Sequence, residues 1–327
     1  MRLVLSYIAC ALFAGLGALF IFGPYEDATL DMGFAPQLLD GGIDAYLAAQ
    51  EARFANITPG TEKRVVWAGE AEAKTPWSVV YIHGFSATSE EIRPVPDRVA
   101  EALGANLYYT RLTGHGRGAD ALGQATVREW SRDLAEAMAI GAATGTRVLV
   151  IATSTGGTLA TYAATKLFDP EQLAGVVLIS PNFAINNSAA MLLTWPAARY
   201  WVDAVAGDTR SFTPHNDRQA QYWTTTYPTV ATLPMAALVE KVNALDLTNI
   251  LAPALFIYSP KDQVVLPQAT DSVVAQWGKG WGTDVQVWQP SIGPGDDPSA
   301  HVIAGDIMSP GQTAPTVQRI VTFVKGL

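Results

Sequence analysis

Val148-Leu149-Val150-Ile151-Ala152-Thr153-Ser154-Thr155-Gly156 is an apolar run that ends in small and hydroxyl-bearing residues, and a helix-like stretch begins directly after it at Gly157. A strand that turns sharply into a helix leaves no room for bulky side chains around the turn residue, so small residues are required two positions before and two after it. Ala152 and Gly156 meet that demand around Ser154, whose hydroxyl would then stand exposed as a nucleophile. The same residues also read as a helix cap, because Ser and Thr hydroxyls commonly satisfy the first free amides of a helix. The motif leaves both readings open, and its surroundings decide between them.

Outward from Ser154 the chain alternates short apolar strands with helical stretches. From Lys63 onward strands are expected at Val65-Val66-Trp67, Val79 to Ile82, Leu107 to Tyr109, Val148 to Ile151, Val176 to Ile179, Leu255 to Tyr258 and Val285 to Trp288. Between them helices are expected near Glu90 to Leu103, Val127 to Ala143, Thr158 to Leu167, Gln268 to Trp277 and Thr316 to Val324. This alternation predicts an α/β fold with a mostly parallel, doubly wound sheet. Thr88 with Glu91 forms a capping-box pattern, which assigns those side chains to a helix start. The core is expected over residues 63–181 and 251–327. Residues 182–250 break the rhythm with Met191, Trp195, Trp201, Trp223, Tyr227 and few charges, as an inserted helical cap or lid would.

In an open parallel sheet, reactive groups collect at the carboxyl ends of strands. Four strands end in candidates: His83-Gly84-Phe85-Ser86 after Ile82, Ser154 after the strand at Ile151, Asp262 in Ser259-Pro260-Lys261-Asp262, and His301 beyond a Gly/Pro loop after the last strand. Their order along the chain is Ser, Asp, His.

With His83-Gly84-Phe85, Leu112-Thr113-Gly114-His115-Gly116, the Ser154 turn, Asp262-Gln263-Val264-Val265 and His301-Val302-Ile303 all in that order, the chain resembles the α/β-hydrolase superfamily over roughly residues 63–327. Within it, bacterial carboxylesterases and monoacylglycerol-lipase-like members are the nearest in pattern. The resemblance implies Ser154 as nucleophile, His301 as its base, Asp262 as the acid that orients the base, and the Phe85 and Thr155 amides as an oxyanion hole. The chemistry agrees, since a serine hydroxyl attacks near neutral pH only when an imidazole takes its proton and a carboxylate holds that imidazole. Two departures stand out: Ala152 occupies the first glycine position of G-x-S-x-G, and the stretch from Asp262 to His301 is long, leaving Ser291 to Ala300 without an assigned place.

His83 and His115 flank glycines in turns and are assigned to the floor of the site, His215 to the surface of the insertion. Asp296 and Asp297 sit close to His301 in sequence but in a Gly/Pro loop, which makes them weaker candidates than Asp262 for the acid of the triad. Asn182 holds the alternative acid position after Ile179, where an amide cannot carry the charge. In the insertion, Trp195, Trp201, Trp223 and Tyr227 are candidate walls of an apolar acyl pocket, although aromatic side chains there would also serve simply to pack the cap.

A hydrophobic fraction of 49% over 327 residues excludes a disordered chain, and a net charge of -9 argues against nucleic acid. Cys10 is the only cysteine and the four histidines are scattered, so neither a disulfide nor a metal site is expected, and no cofactor is implied. Leu3 to Gly23 is uncharged and apolar, long enough to cross a hydrocarbon core of roughly 30 Å. With Arg2 before it, acidic residues after it, and Phe20 to Pro24 a poor cleavage site, residues 1–23 are expected to be an uncleaved anchor rather than a signal peptide, and the body exported. Residues 24–62 read as a linker with an amphipathic helix from Ile43 to Phe54. Together these features predict a serine esterase or monoacylglycerol-type lipase acting on a small ester or lipid. An acyltransferase, a serine peptidase of the same fold, or a non-catalytic binding module are the alternatives.

Overall fold

The computed structural model describes residues 2–166, 169 and 172–327. Nine strands are present among them: β1 (Arg64–Val66), β2 (Thr75–Ile82), β3 (Asn106–Tyr109), β4 (Gly145–Thr153), β5 (Gly175–Ile179), β6 (Thr209–Ser211), β7 (Thr226–Pro228), β8 (Ala254–Ile257) and β9 (Val285–Trp288). Seven of them form one sheet in the order β1-β3-β2-β4-β5-β8-β9. Only β1 runs antiparallel to its neighbour; the other five pairings are parallel. This is the mostly parallel sheet that the strand and helix rhythm predicts, and the arrangement that the resemblance to α/β-hydrolases implies.

A parallel strand covered on both faces reads as a continuous apolar run rather than an alternating one. The stretch Val148 to Thr153 of β4 is accordingly buried along its whole length. Its side chains still point alternately to two sides: Val148 and Val150 join Trp130 and Leu134 of the helix Val127–Thr144 in one core, while Leu149 and Ile151 join Val99 of the helix Val95–Leu103 and Phe323 of the helix Pro310–Lys325 in the other. Both faces of the sheet are therefore sealed, and the ends of the strands are what remains open to chemistry.

The chain passes from β2 outward to β3 and then returns to the other side of β2 with β4. Such a reversal leaves a crevice beyond the carboxyl ends of the two central strands. Ile82 and Ala152 are directly paired across it, so His83 and Ser154 emerge side by side.

Helix starts differ from the sequence reading in instructive ways. The helix expected from Glu90 begins at Val95, because the residue before a proline is pushed out of the helical region and Pro94 follows Arg93. The Thr88 and Glu91 pair therefore caps nothing. A true reciprocal capping box is formed instead by Thr126 and Glu129 at the helix Val127–Thr144. The helix after Ser154 starts at Thr155, and the last helix starts at Pro310 and runs through Pro315. Leu167, the expected end of the helix after Ser154, lies outside the described residues.

Between β5 and β8 the chain forms short helices and the two-stranded ribbon β6-β7. It is fastened to the body by Thr224 N–H donating to Ser86 O at 2.7 Å and by Asn216 Nδ2 donating to Ile307 O at 2.8 Å. At the other end, Ile43 and Leu47 of the helix Ile43–Glu51 are buried in the main core, and Glu51 pairs with buried Arg111 at 2.7 Å. The expected anchor coincides with a helix, Arg2–Phe22, whose side chains are in part outside the described residues. Among the described residues no helix is long and apolar enough to cross a membrane.

Candidate active site

Ser154 stands at the tip of the turn between β4 and the helix Thr155–Lys166, with φ of 51°. A non-glycine residue in that left-handed region is strained and persists only where its surroundings fix it. Here they do: Ser154 N–H donates to Ile179 O, and Ser154 O accepts from Asn182, Gly157 and Thr158. Gly156 is obligatory, because a Cβ at that position would lie 2.3 Å from Ile82 O and 2.7 Å from His83 O. The requirement is for contact between the helix and the end of β2. Ala152, by contrast, sits fully buried within the paired strand, and its methyl group is accommodated, so the departure from the glycine pattern is sterically harmless.

His301 Nε2 lies 3.1 Å from Ser154 Oγ, and His301 Nδ1 lies 2.8 Å from Asp262 Oδ2. The second carboxylate oxygen of Asp262 accepts from the Val264 and Val265 amides at 2.7 and 2.9 Å, which leaves Oδ2 free to face the imidazole. All three residues are buried, between 4% and 7% exposed. Burial alone would push the His301 imidazole toward neutrality, but the Asp262 charge and hydrogen bond, aided by Glu91 and Asp297, outweigh it and raise its pKa above the ordinary value.

The two amides expected to face the reacting oxygen lie on either side of Ser154. The Phe85 turn abuts the serine, since a Cβ on Gly84 would sit 3.1 Å from Ser154 Cβ. Thr155 follows Ser154 as the first residue of its helix. Among the described residues neither the Phe85 nor the Thr155 amide has an acceptor, so both are available. The Phe85 ring turns the other way, edge-on to Tyr227 with centroids 5.3 Å apart and to His115 at 5.9 Å.

Below this turn the His83 and His115 rings lie tilted against each other, with centroids 4.9 Å apart. His83 Nε2 accepts from Leu112 N–H at 3.0 Å and its Nδ1 faces Gly84 O at 2.9 Å, which fixes one neutral tautomer. Burial drives both imidazoles down, His115 to about 4 and His83 well below its usual range. Neither lines the cavity over Ser154; they pack behind the turn that carries Phe85.

A cavity of about 540 Å³ opens over Ser154 and His301. Ile185, Leu193, Met235, Val265, Val302 and Met308 give it apolar walls, and Trp223 and Tyr227 line it as expected. Trp195 and Trp201 do not. Trp195 meets the Phe20 ring at 5.3 Å, and Trp201 packs with Ala198, Val202 and Leu233 inside the insertion while its indole N–H donates to Pro196 O. Composition identified an aromatic insertion without identifying which face each ring takes. His215, assigned to the surface, is exposed but also borders the cavity.

Two residues carry more of the site than their sequence context suggests. Asp297 accepts from the His301, Val302 and Ser299 amides, folding the loop Ser291 to Ala300 so that Ala300, at φ of 53°, delivers His301 toward the serine. A run of Asp297-Pro298-Ser299 is the kind of turn signal that could have revealed it. Glu91, read as a helix cap, lines the cavity instead. Its Oε2 accepts from Gly84 N–H at 2.7 Å and from the Tyr81 hydroxyl at 2.9 Å. Nothing in a single sequence distinguishes that role from a cap. Among the described residues no group of three or more His, Cys, Asp or Glu side chains is arranged to hold a metal.

Comparison with known proteins gives a consistent picture. Residues 73–283 match the sequence family described as serine aminopeptidase, S33. A thermostable monoacylglycerol lipase from Bacillus sp. (strain H-257) is 28% identical over 198 residues, covering 61% of this chain and 75% of its own. Among solved structures, one reported for the metagenome-derived lipolytic enzymes LipS and LipT superposes with a TM-score of 0.65 at 20% identity, over 83% of this chain and all of that one. The monoacylglycerol lipase of Paleococcus ferrophilus superposes with a TM-score of 0.55 at 17% identity, over 80% of this chain and 98% of its own. At these identities the superpositions establish the shared fold.

Proposed function

The chain belongs to the serine aminopeptidase S33 family of α/β-hydrolases, and within it we propose a serine ester hydrolase, of carboxylesterase or monoacylglycerol-lipase type, that cleaves apolar acyl esters through an acyl-enzyme. The observation that carries this reading is the unbroken chain from Asp262 Oδ2 through His301 to Ser154 Oγ, at 2.8 and 3.1 Å, beside two free amides. In the cycle, Ser154 Oγ attacks the ester carbonyl as its proton passes to His301 Nε2. Asp262 holds the Nδ1 proton and stabilises the imidazolium. The Phe85 and Thr155 amides receive the carbonyl oxygen as it becomes anionic, where losing one such donor typically costs about 100-fold to 1000-fold in rate. His301 then returns its proton to the leaving alkoxide, giving the alcohol and an acyl-Ser154. Water attacks that ester with His301 again as base, and release of the acid restores the serine.

The apolar walls of the cavity favour an acyl chain, and Asn187, Arg210 and Gln219 in the same cavity would meet a hydroxylated alcohol portion. The lipase and lipolytic names of the similar proteins support an ester, while the family description, an aminopeptidase, makes a peptide the reading to test against it. A panel of acyl esters of graded chain length, a monoacylglycerol, and peptide or anilide substrates tests it, with Ser154→Ala as control. Esters are expected to be turned over well ahead of amides. Peptide cleavage faster than any ester would overturn the reading in favour of a peptidase, and acyl transfer to added alcohol outrunning hydrolysis would favour a transferase.

The apolar run Leu3 to Gly23, behind Arg2, supports an exported body tethered by its N-terminal segment. Cell fractionation with intact-mass measurement checks this. Full-length protein in the membrane fraction is expected, and soluble cytoplasmic protein would contradict it.

A further inference from the structure

The acyl-transfer cycle above leaves Glu91 unused, although its carboxyl is placed among the reacting groups. The residue is 2% exposed and lines the cavity. Its Oε2 is held by Gly84 N–H and by the Tyr81 hydroxyl. Its Oε1 faces the missing side chain of Gly84: a Cβ built there would lie 2.7 Å from Oε1 and 3.1 Å from Ser154 Cβ. Little more than the space of one absent methyl group separates this acid from the nucleophile. Gly84 is also the residue immediately before Phe85, so this carboxyl anchors the turn from which the Phe85 amide projects.

We propose that Glu91 is a positioning residue of the active site, a second carboxyl that clamps the turn bearing the Phe85 amide and whose charge acts on His301 across the cavity floor, so that the two groups together set the acid limit of activity. The proposal rests on Ser154 and His301 acting as nucleophile and base. The groups facing Glu91 are Tyr81 from β2, itself edge-on to Tyr109, and His301 from the loop ahead of the last helix. Behind His301 stand Asp262 and Asp297. The cations Arg64, Arg93 and Arg218 pair with the neighbouring Glu90 instead.

Burial lifts the Glu91 carboxyl to about 7, against the opposing pull of the Gly84 amide, the Tyr81 hydroxyl and His301. His301 is raised above its usual value by Asp262, with a smaller contribution from Glu91, against the downward pull of burial. Two ionisable groups that interact this way titrate as a pair. The sign follows from charge. An anionic Glu91 stabilises the imidazolium and so keeps the base protonated; a neutral side chain in its place lets His301 release its proton at lower pH.

The dependence of kcat/KM on pH, measured for one ester on wild type, Glu91→Gln and Tyr81→Phe, tests this. Glutamine keeps the shape and an acceptor for Gly84 and Tyr81 while removing the charge. The midpoint of its acid limb is expected to fall by about half a pH unit or more. Tyr81→Phe removes a donor that favours the Glu91 anion, so its midpoint should fall in the same direction by less. A purely structural clamp, which glutamine preserves, would leave the midpoint where it was; an unmoved midpoint, or one that rises, overturns the proposal. If Glu91→Gln does not fold, an unmoved midpoint in Tyr81→Phe overturns it equally. Activity surviving in Ser154→Ala would instead fault the nucleophile assignment on which the proposal rests.

Discussion

Ser154 is held at φ of 51° between two small residues that are not equivalent. Gly156 is pressed against the backbone of Ile82 and His83, whereas Ala152 already carries its methyl group inside the sheet. Gly156→Ala is therefore expected to cost about 1 to 3 kcal/mol through overpacking and, by displacing the nucleophile, to lower ester hydrolysis by about 100-fold. Ala152→Gly should leave the rate near wild type and cost only about 0.5 to 1 kcal/mol, the usual effect of glycine within a strand. Thermal unfolding and ester kinetics on the two variants check both; equal damage at the two sites would contradict the steric account. The same scale shows the limit of local sequence. Thr88 and Glu91 carry the letters of a capping box, but Pro94 delays the helix to Val95 and frees Glu91 for the Gly84 turn. The letters cannot show where a long side chain goes once its helix is denied.

Elements were legible where burial forces a simple pattern. Each central strand is sealed on both faces, so it appears as an uninterrupted apolar run, and its end is marked by the polar or glycine residue that follows. That is why His83, Ser154 and the Asp262 turn could be placed at strand ends, and their spacing did not need the helices to be exact. The insertion was less legible. Its aromatic residues announce buried surface but not direction, and of the four proposed as pocket walls Trp223 and Tyr227 face the cavity while Trp195 and Trp201 pack elsewhere. The loop before His301 was the least legible. Its shape is set by one side chain, Asp297, gathering three amides, and no periodicity records such a contact.

At the scale of the whole molecule, the reversal of strand order between β2 and β4 brings groups from residues 84–85, 154–155, 262 and 301 into one crevice. Residues of the inserted segment contribute walls to the cavity of about 540 Å³ that opens over Ser154 and His301. Sequence order alone ranked the Ser, Asp and His candidates, while their contact depends on the fold closing correctly over more than a hundred residues. The central claim is that this contact makes Ser154 a nucleophile. Labelling with a fluorophosphonate probe tests it most directly: wild type is expected to be labelled at Ser154 and Ser154→Ala not at all, with His301→Ala labelled far more slowly. Equal labelling of wild type and Ser154→Ala, or none in wild type, would contradict the account.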